Sequence, residues 1–202
     1  MLRKVSVAVL VVAMMAGPSL AGSHRPVKFL VQGGISWPGQ SYLYTFYDPG
    51  THFAAGIGTG VYDGLDIYAV IERHDLSFNW GPLPVNGRGH DFSAWTFGLQ
   101  GRYSPPILLN IPFVPIKPFA TAEVGIASVN YTAGDVPGRW EFILRGEDQT
   151  RTYIGFGAGF DYAVSPRFNL FVYARGIRVG TDAAVNVKRG TWLVPVSVGV
   201  RF

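Results

Sequence analysis

The chain ends in a strict alternation of apolar residues with small, polar or mixed ones. Every second position from Trp192 to Val200 is apolar, and Phe202 continues the series. The positions between them, from Leu193 to Arg201, do not share that character. A period of two is that of a β-strand whose two faces meet different surroundings, whereas an amphipathic helix would repeat every 3.6 residues. The segment is therefore predicted to be a strand.

The same alternation recurs along the chain and predicts an all-β fold. The predicted strands cover residues 27–37, 52–62, 65–74, 92–103, 117–131, 152–163, 168–179 and 191–202. Asp63 and Gly64 join the second strand to the third, and Asp-Gly between two alternating runs is a strong hairpin signal. The connector 164–167 is also short, whereas connectors 38–51, 75–91, 132–151 and 180–190 are long. Short turns at one end and long loops at the other are typical of an antiparallel up-and-down transmembrane barrel.

The first 21 residues have the features of a secretory signal peptide. Arg3 and Lys4 precede an apolar run over residues 5–16, and a small-x-small cleavage site ends at Ala21. The apolar run is shorter than the ~20 residues that a spanning helix needs. We predict cleavage between Ala21 and Gly22, which leaves residues 22–202 as the barrel domain. The chain has no cysteine, which excludes a lipoprotein anchor and disulfides.

Charge and composition also favour a membrane barrel. Of 17 basic residues two lie in the signal peptide, which leaves 15 against 13 acidic residues. Because these charges are scattered and nearly balanced, we expect no nucleic-acid partner. The 26 glycines and 14% aromatic residues are typical of alternating barrel strands. The connector 104–116 does not fit, because it is long, apolar and rich in proline where a short turn is expected.

The two faces of each predicted strand indicate which side meets lipid. In strand 152–163 one face carries Ile154, Phe156 and Phe160, and the other is rich in glycine and carries Asp161. A soluble sandwich would turn the polar face to water, whereas a membrane barrel turns the apolar face to lipid. Aromatic residues near the strand ends on the apolar face favour lipid. These residues are Trp37, Trp95, Tyr103, Tyr162 and Trp192.

The alternation of inward and outward positions along each strand, here called parity, predicts which charged residues point into the barrel. Four are basic and four acidic: Lys28, Arg102, Arg175 and Arg201, with Asp66, Glu72, Glu123 and Asp161. An eight-stranded barrel is just wide enough for its interior to be filled by side chains. Since lone buried charges are costly, we expect a plugged lumen with a network of ion pairs. A substrate path through these charges stays open as an alternative.

Evidence for chemistry is sparse. No nucleotide-binding, zinc-protease or serine-hydrolase motif is present, so we expect no cofactor. Four histidines, His24, His52, His74 and His90, lack metal-ligand spacing, so we expect no metal. The weak catalytic candidates are Glu72, His74 and Ser77. In an extended strand Glu72 and His74 share a face, but Ser77 points to the opposite one.

The eight alternating strands, the segment 164–170 and the terminal segment 196–202 resemble the small eight-stranded outer-membrane barrels of the outer membrane protein A-like and opacity-protein-like superfamily. The resemblance implies a bacterial outer-membrane location, in contact with membrane lipid and lipopolysaccharide. It also implies that Val196, Val198, Val200 and Phe202 form the signal read by the barrel-assembly machinery. The expected role is envelope structure or binding of a host or surface ligand through the loops. The alternatives are a lipid A deacylase-like enzyme and a narrow channel.

Overall fold

The computed structural model describes residues 26–39, 47–78, 92–106, 109–111, 114–131, 149–180 and 191–202, and these form nine strands. The strands are β1 (Val27–Pro38), β2 (Tyr47–Tyr62), β3 (Leu65–Phe78), β4 (Phe92–Tyr103), β5 (Leu109–Ile111), β6 (Val114–Tyr131), β7 (Gln149–Ser165), β8 (Phe168–Val179) and β9 (Thr191–Arg201). None of the described residues belongs to a helix long and apolar enough to cross a membrane.

Eight of these strands close into an antiparallel barrel. The eight long strands pair in chain order, and β4 pairs directly with β6 because the short strand β5 pairs only with β6. The sheet closes between β1 and β9, where Gly33 lies opposite Val198. The predicted all-β, eight-stranded up-and-down barrel is confirmed. Closure matters physically, because it leaves no strand edge among the eight without a partner.

The two ends of the barrel differ. The tight turns after β2 and β7 lie at the end where β1 begins and β9 finishes, which we call the turn end. At the first turn Gly64 has φ of 78°, a left-handed conformation that favours glycine, as the Asp-Gly signal requires. The opposite end, where β1 finishes and β2 begins, carries the long connectors and is called the loop end.

Several strands are longer than predicted at the loop end. β2 begins at Tyr47, not at residue 52, and β3 continues to Phe78, not to residue 74. The Asp48-Pro49-Gly50 segment reads as a turn, but an irregularity in register between Asp48 and Thr51 keeps it paired with β3. β7 begins at Gln149, not at residue 152, whereas β6 gains its extra residues at the turn end, where it begins at Val114 and not at residue 117. Cross-strand pairing therefore overrides the local turn signal, as a bulge permits.

The apolar connector 104–116 contains a strand that was not predicted. β5 pairs with the first residues of β6, with Leu109 opposite Ile116 and Ile111 opposite Val114. Its three residues lie at the edge of the sheet, where proline-rich segments are tolerated. This small hairpin extends the sheet beyond the turn end of β4, because β4 meets β6 only from Ala120 onward.

The outer face of the barrel is an apolar belt. Val198 is 64% exposed and Phe156 62%, whereas the apolar strand residues of a soluble protein are buried in its core. On β4 the belt runs between Trp95 and Tyr103, close to the ~9–11 residues of a membrane-crossing strand. Near the loop end its border carries charge, with the Arg73 guanidinium 5.4 Å from the Trp95 ring. The apolar face of the sheet therefore points outward, as in a membrane β-barrel, and not into the interior, as in a soluble protein.

Candidate functional site: the barrel interior

Side chains fill the interior in successive layers. The inward residues of β3 sample these layers from the turn end to the loop end: Asp66, Tyr68, Val70, Glu72, His74 and Leu76, all of them buried. The sequence thus places a charged layer near the turn end, a second in the middle, a histidine layer above it and an apolar layer at the loop end. Each charged residue predicted by parity to point inward lies in one of the two charged layers.

The turn-end layer is a chain of ion pairs that alternates in sign. The Lys28 ammonium lies 2.5 Å from Asp66, whose second oxygen accepts from Arg201 at 3.0 Å. Arg201 also lies 3.4 Å from Asp161, and Arg102 donates to Asp161 at 2.5 Å. Three cations therefore share two carboxylates, and each carboxylate has two cationic partners. Such networks satisfy charges that would be costly to bury alone.

Aromatic rings support the most buried of these cations. Arg102 is only 2% exposed, and its guanidinium carbon lies 3.4 Å from the centre of the Phe119 ring and 5.0 Å from that of Phe171. A cation over an aromatic face is stabilised by the ring quadrupole, more strongly where water is excluded. The two rings also contact each other edge to face. This packing fills the space beside the ion pairs.

The central layer is built on Arg175, whose side chain is fully buried. It bridges Glu72 and Glu123 with separate nitrogens, and lies 2.5 Å from the latter. Glu123 also accepts hydrogen bonds from the Tyr153 hydroxyl and from Gln100 at 3.4 Å. One cation therefore serves two carboxylates, and neutral donors supply the remaining hydrogen bonds of Glu123.

Two histidines form the next layer toward the loop end. Their partners in the structure were not predicted from the sequence. The rings of His52 and His74 stack with centres 5.6 Å apart. His52 Nε2 lies 2.8 Å from the Ser197 hydroxyl, and His74 Nδ1 lies 3.2 Å from that of Ser36. Parity could have placed His52, Ser36 and Ser197 inside, but their layer depends on how the strands are staggered.

The weak catalytic candidates separate in the structure. Ser77 lies on the exposed outer face of β3, whereas Glu72 and His74 are buried inside. His74 instead stands between Ser36 and Glu72, because its Nε2 is 3.1 Å from Glu72 Oε1. Neither of those two atoms has a hydrogen-bond partner, so the contact is close without being well aligned. Hydroxyl, imidazole and carboxylate are the groups of a nucleophilic site, and here all three are buried in the barrel interior.

No metal centre is evident within the described part of the chain. No group of three or more histidine, aspartate or glutamate side chains there could hold an ion. His24 and His90 lie outside the described residues, as do Ala21 and Gly22 at the predicted cleavage point.

The loop-end layer is apolar and closes over the histidines. Its buried residues are Tyr47, Leu76, Phe92, Ala94, Ala127, Val129, Tyr153, Ile177, Val179 and Leu193. The rings of Tyr47 and Phe92 meet edge to face with centres 5.9 Å apart. These residues come from the loop ends of seven strands, so the cluster spans the full width of the interior.

The residues of the predicted assembly signal face outward along the barrel seam. Val196 and Val198 are exposed on the apolar belt. Phe202 stacks on Phe29 of β1 with ring centres 5.7 Å apart, and the two residues exchange backbone hydrogen bonds of 2.7 and 3.0 Å. The terminal aromatic ring therefore lies beside the last pairs that close the barrel.

Comparison with known proteins gives the fold a context. No protein-family model matches the chain, and no curated protein is similar to it in sequence. Among solved structures it is similar to Neisserial surface protein A, with a TM-score of 0.61, 18% identity, and coverage of 87% of this chain and 95% of that one. The chain has the fold of the small outer-membrane β-barrels.

A second solved structure has the same architecture. It is a major outer membrane protein from Thermus thermophilus, with a TM-score of 0.52, 14% identity, and coverage of 88% of this chain and 99% of that one. At such identities the likeness concerns the fold. The apolar belt independently indicates contact with membrane lipid, because an apolar exterior of this size would be unfavourable in water.

Proposed function

We propose that the protein is a sealed outer-membrane barrel that presents its long loop-end connectors at the cell surface, for envelope structure or for binding a surface ligand. The connectors 40–46, 79–91, 132–148 and 181–190 all leave the same end of the barrel. Long loops of transmembrane barrels are the outer ones. Membrane lipid and lipopolysaccharide are then the immediate surroundings, and the barrel-assembly machinery is the proposed partner during insertion.

The observation that carries this proposal is the filled interior. Two layers of ion pairs, two stacked histidines and an apolar cluster succeed one another between the turn end and the loop end. A diffusion pore needs a continuous aqueous path, whereas an eight-stranded barrel is narrow enough for its own side chains to fill it. With the interior occupied, we assign recognition to the connectors that join the strands at the loop end.

Conductance tests the sealed barrel. The purified protein is inserted into planar bilayers, with detergent alone as the control. We expect no steady openings in the nanosiemens range at neutral pH. Reproducible openings of that size would refute the sealed lumen and support the narrow-channel alternative.

Loop replacement tests the surface role. Connectors 79–91 and 132–148 are exchanged for short Gly-Ser linkers in a chain that keeps all barrel strands, and folding is checked by heat-modifiable mobility on gels. We expect the variant to insert normally but to fail to restore the envelope phenotype of a deletion strain, such as its detergent sensitivity. Full restoration would show that the loops are dispensable.

The arrangement of Ser36, His74 and Glu72 favours a second candidate, a lipid A-modifying enzyme. Opening of the apolar cluster would be required for substrate to reach it. Mass spectrometry of lipid A from deletion and complemented strains tests this candidate, with Ser36→Ala and Ser77→Ala as separate variants. A mass change that depends on Ser36 would establish the enzyme, and identical lipid A in every strain would remove it.

A further inference from the structure

The two stacked histidines are buried, and one nitrogen of each ring has no hydrogen-bond partner. His52 and His74 lie directly opposite each other on β2 and β3, and their side chains are fully shielded from solvent. Each ring has one hydrogen bond to a serine, His52 Nε2 to Ser197 and His74 Nδ1 to Ser36. His52 Nδ1 and His74 Nε2 are the nitrogens without a partner. A neutral imidazole has one N–H donor, whereas an imidazolium has two that must be satisfied.

The charged groups nearest to the histidines belong to the central layer. Glu72 Oε1 lies 3.1 Å from His74 Nε2 and 3.8 Å from His52 Nε2. Arg175 occupies the other oxygen of Glu72 and also binds Glu123 on β6. Glu72 therefore offers the two rings a single carboxylate oxygen, and a cation already lies close to that oxygen.

The remaining strands around the histidines bring neutral groups. β1 and β9 supply the two serines, and β7 supplies Tyr153, whose hydroxyl is bound to Glu123. On β4 the residue opposite His74 is Ala94. Asp75 follows His74 on β3, but it lies on the outer face and is bound by Arg73. Within the described part of the chain, Glu72 is therefore the carboxylate that either histidine can use.

Protonation of both rings would exceed what this layer can satisfy. Two imidazoliums have four N–H donors, whereas Glu72 Oε1 and the two serine oxygens are three acceptors, and His52 Nδ1 has no partner. The ring centres are 5.6 Å apart, and Arg175 lies beside them, so three cations would share two carboxylates. The turn-end layer has the same ratio, but there Lys28 is 31% exposed to water. The histidine layer has no such exposure.

Water could satisfy the protonated rings only by entering from the loop end. On the other side the ion pairs of Arg175 occupy the lumen. Toward the loop end Leu76 follows His74 on the inner face of β3 and belongs to the apolar cluster. Because a buried charge without a partner is costly, protonation of the layer and displacement of the apolar cluster are coupled.

We propose that the histidine layer is an acid-sensitive seal of the lumen. Neutral rings stack and close the interior beneath the apolar cluster. Uptake of a proton by each ring drives the two rings apart and admits water from the loop end. The inference rests on the sealed barrel proposed above, and it adds the condition under which the seal opens.

Proton uptake on unfolding is the first test. A histidine in an unfolded chain has a pKa of about 6.5, so below that pH the unfolded chain holds one more proton for each histidine that is neutral in the barrel. By linkage, each such histidine makes the unfolding equilibrium constant rise toward about tenfold per pH unit, and the pair toward about a hundredfold. Urea unfolding in lipid vesicles at several pH values between roughly 7 and 5 measures this slope.

Glutamine variants assign the slope to the pair. All proteins carry His24→Gln and His90→Gln, so that His52 and His74 are the only histidines of the chain. We expect His52→Gln and His74→Gln each to remove about tenfold per pH unit from the slope, and their combination to remove both contributions, because glutamine takes up no proton. The single variants decide the test if the combined variant does not fold.

Conductance in planar bilayers is the second test. We expect the parent to show steady openings at about pH 5 that disappear again at neutral pH, and the glutamine variants to show none at either pH. A slope that the glutamine variants leave unchanged would overturn the acid-sensitive seal, and so would a parent that stays closed in acid or acid openings that persist without the histidines. Openings of the parent at neutral pH would instead refute the sealed barrel itself.

Discussion

Removal of the central cation is expected to be the most damaging single charge change inside the barrel. Arg175 is fully buried and holds Glu72 and Glu123 together. Arg175→Met keeps the length and an apolar stem but leaves two carboxylates buried without their shared partner. Breaking one buried pair in this way costs about 3–5 kcal/mol. Because two carboxylates are affected, we expect the free energy of unfolding to fall by at least the lower figure, ~3 kcal/mol.

The measurement is reversible urea unfolding in lipid vesicles, followed by tryptophan fluorescence and heat-modifiable mobility. The informative control is a triple variant in which Arg175→Met is combined with Glu72→Gln and Glu123→Gln. Replacing a whole buried ion-pair group by neutral residues is often neutral or stabilising, so the triple variant should recover most of the loss. Parental stability in Arg175→Met, or no recovery in the triple variant, would show that the ion pairs do not set the stability of the interior.

Two further predictions concern the residues around the central layer. Gly125→Ala should abolish the heat-modifiable folded band while Gly101→Ala keeps it, because an added Cβ would clash with the Phe97 carbonyl oxygen at the first position but would lie 3.8 Å from the nearest atom at the second. Tyr153→Phe should lower the free energy of unfolding by about 1–3 kcal/mol in the same urea assay, since the Glu123 carboxylate loses a buried donor. An unchanged urea midpoint would contradict that role of the hydroxyl.

Parity predicted the faces of the strands, because a strand has only two of them. Lys28 and Arg201 point inward as the alternation requires, and Trp95 and Tyr103 lie on the outer face. Strand ends were harder to predict. At Asp48, residue types that favour turns were outweighed by pairing with β3, which no local pattern reports.

Contacts across the lumen could not be predicted from one sequence. Arg175 and Glu72 are 103 residues apart, and parity says only that both point inward. Their meeting depends on the stagger between strands that closure imposes, which is a property of the whole barrel. The same holds for His52 and Ser197, 145 residues apart. The face on which a side chain lies follows from the local sequence, whereas its position along the barrel axis depends on the whole barrel.

The four basic and four acidic lumenal residues are not divided evenly between the two charged layers. The turn-end layer holds three cations and two carboxylates, whereas the central layer holds Arg175 with Glu72 and Glu123. The central carboxylates therefore depend on neutral donors, and Glu123 obtains them from Tyr153 and Gln100. Glu72 Oε1 has no such donor and faces the histidines. This unpartnered carboxylate oxygen lies directly beneath the histidine layer, which separates it from the apolar cluster.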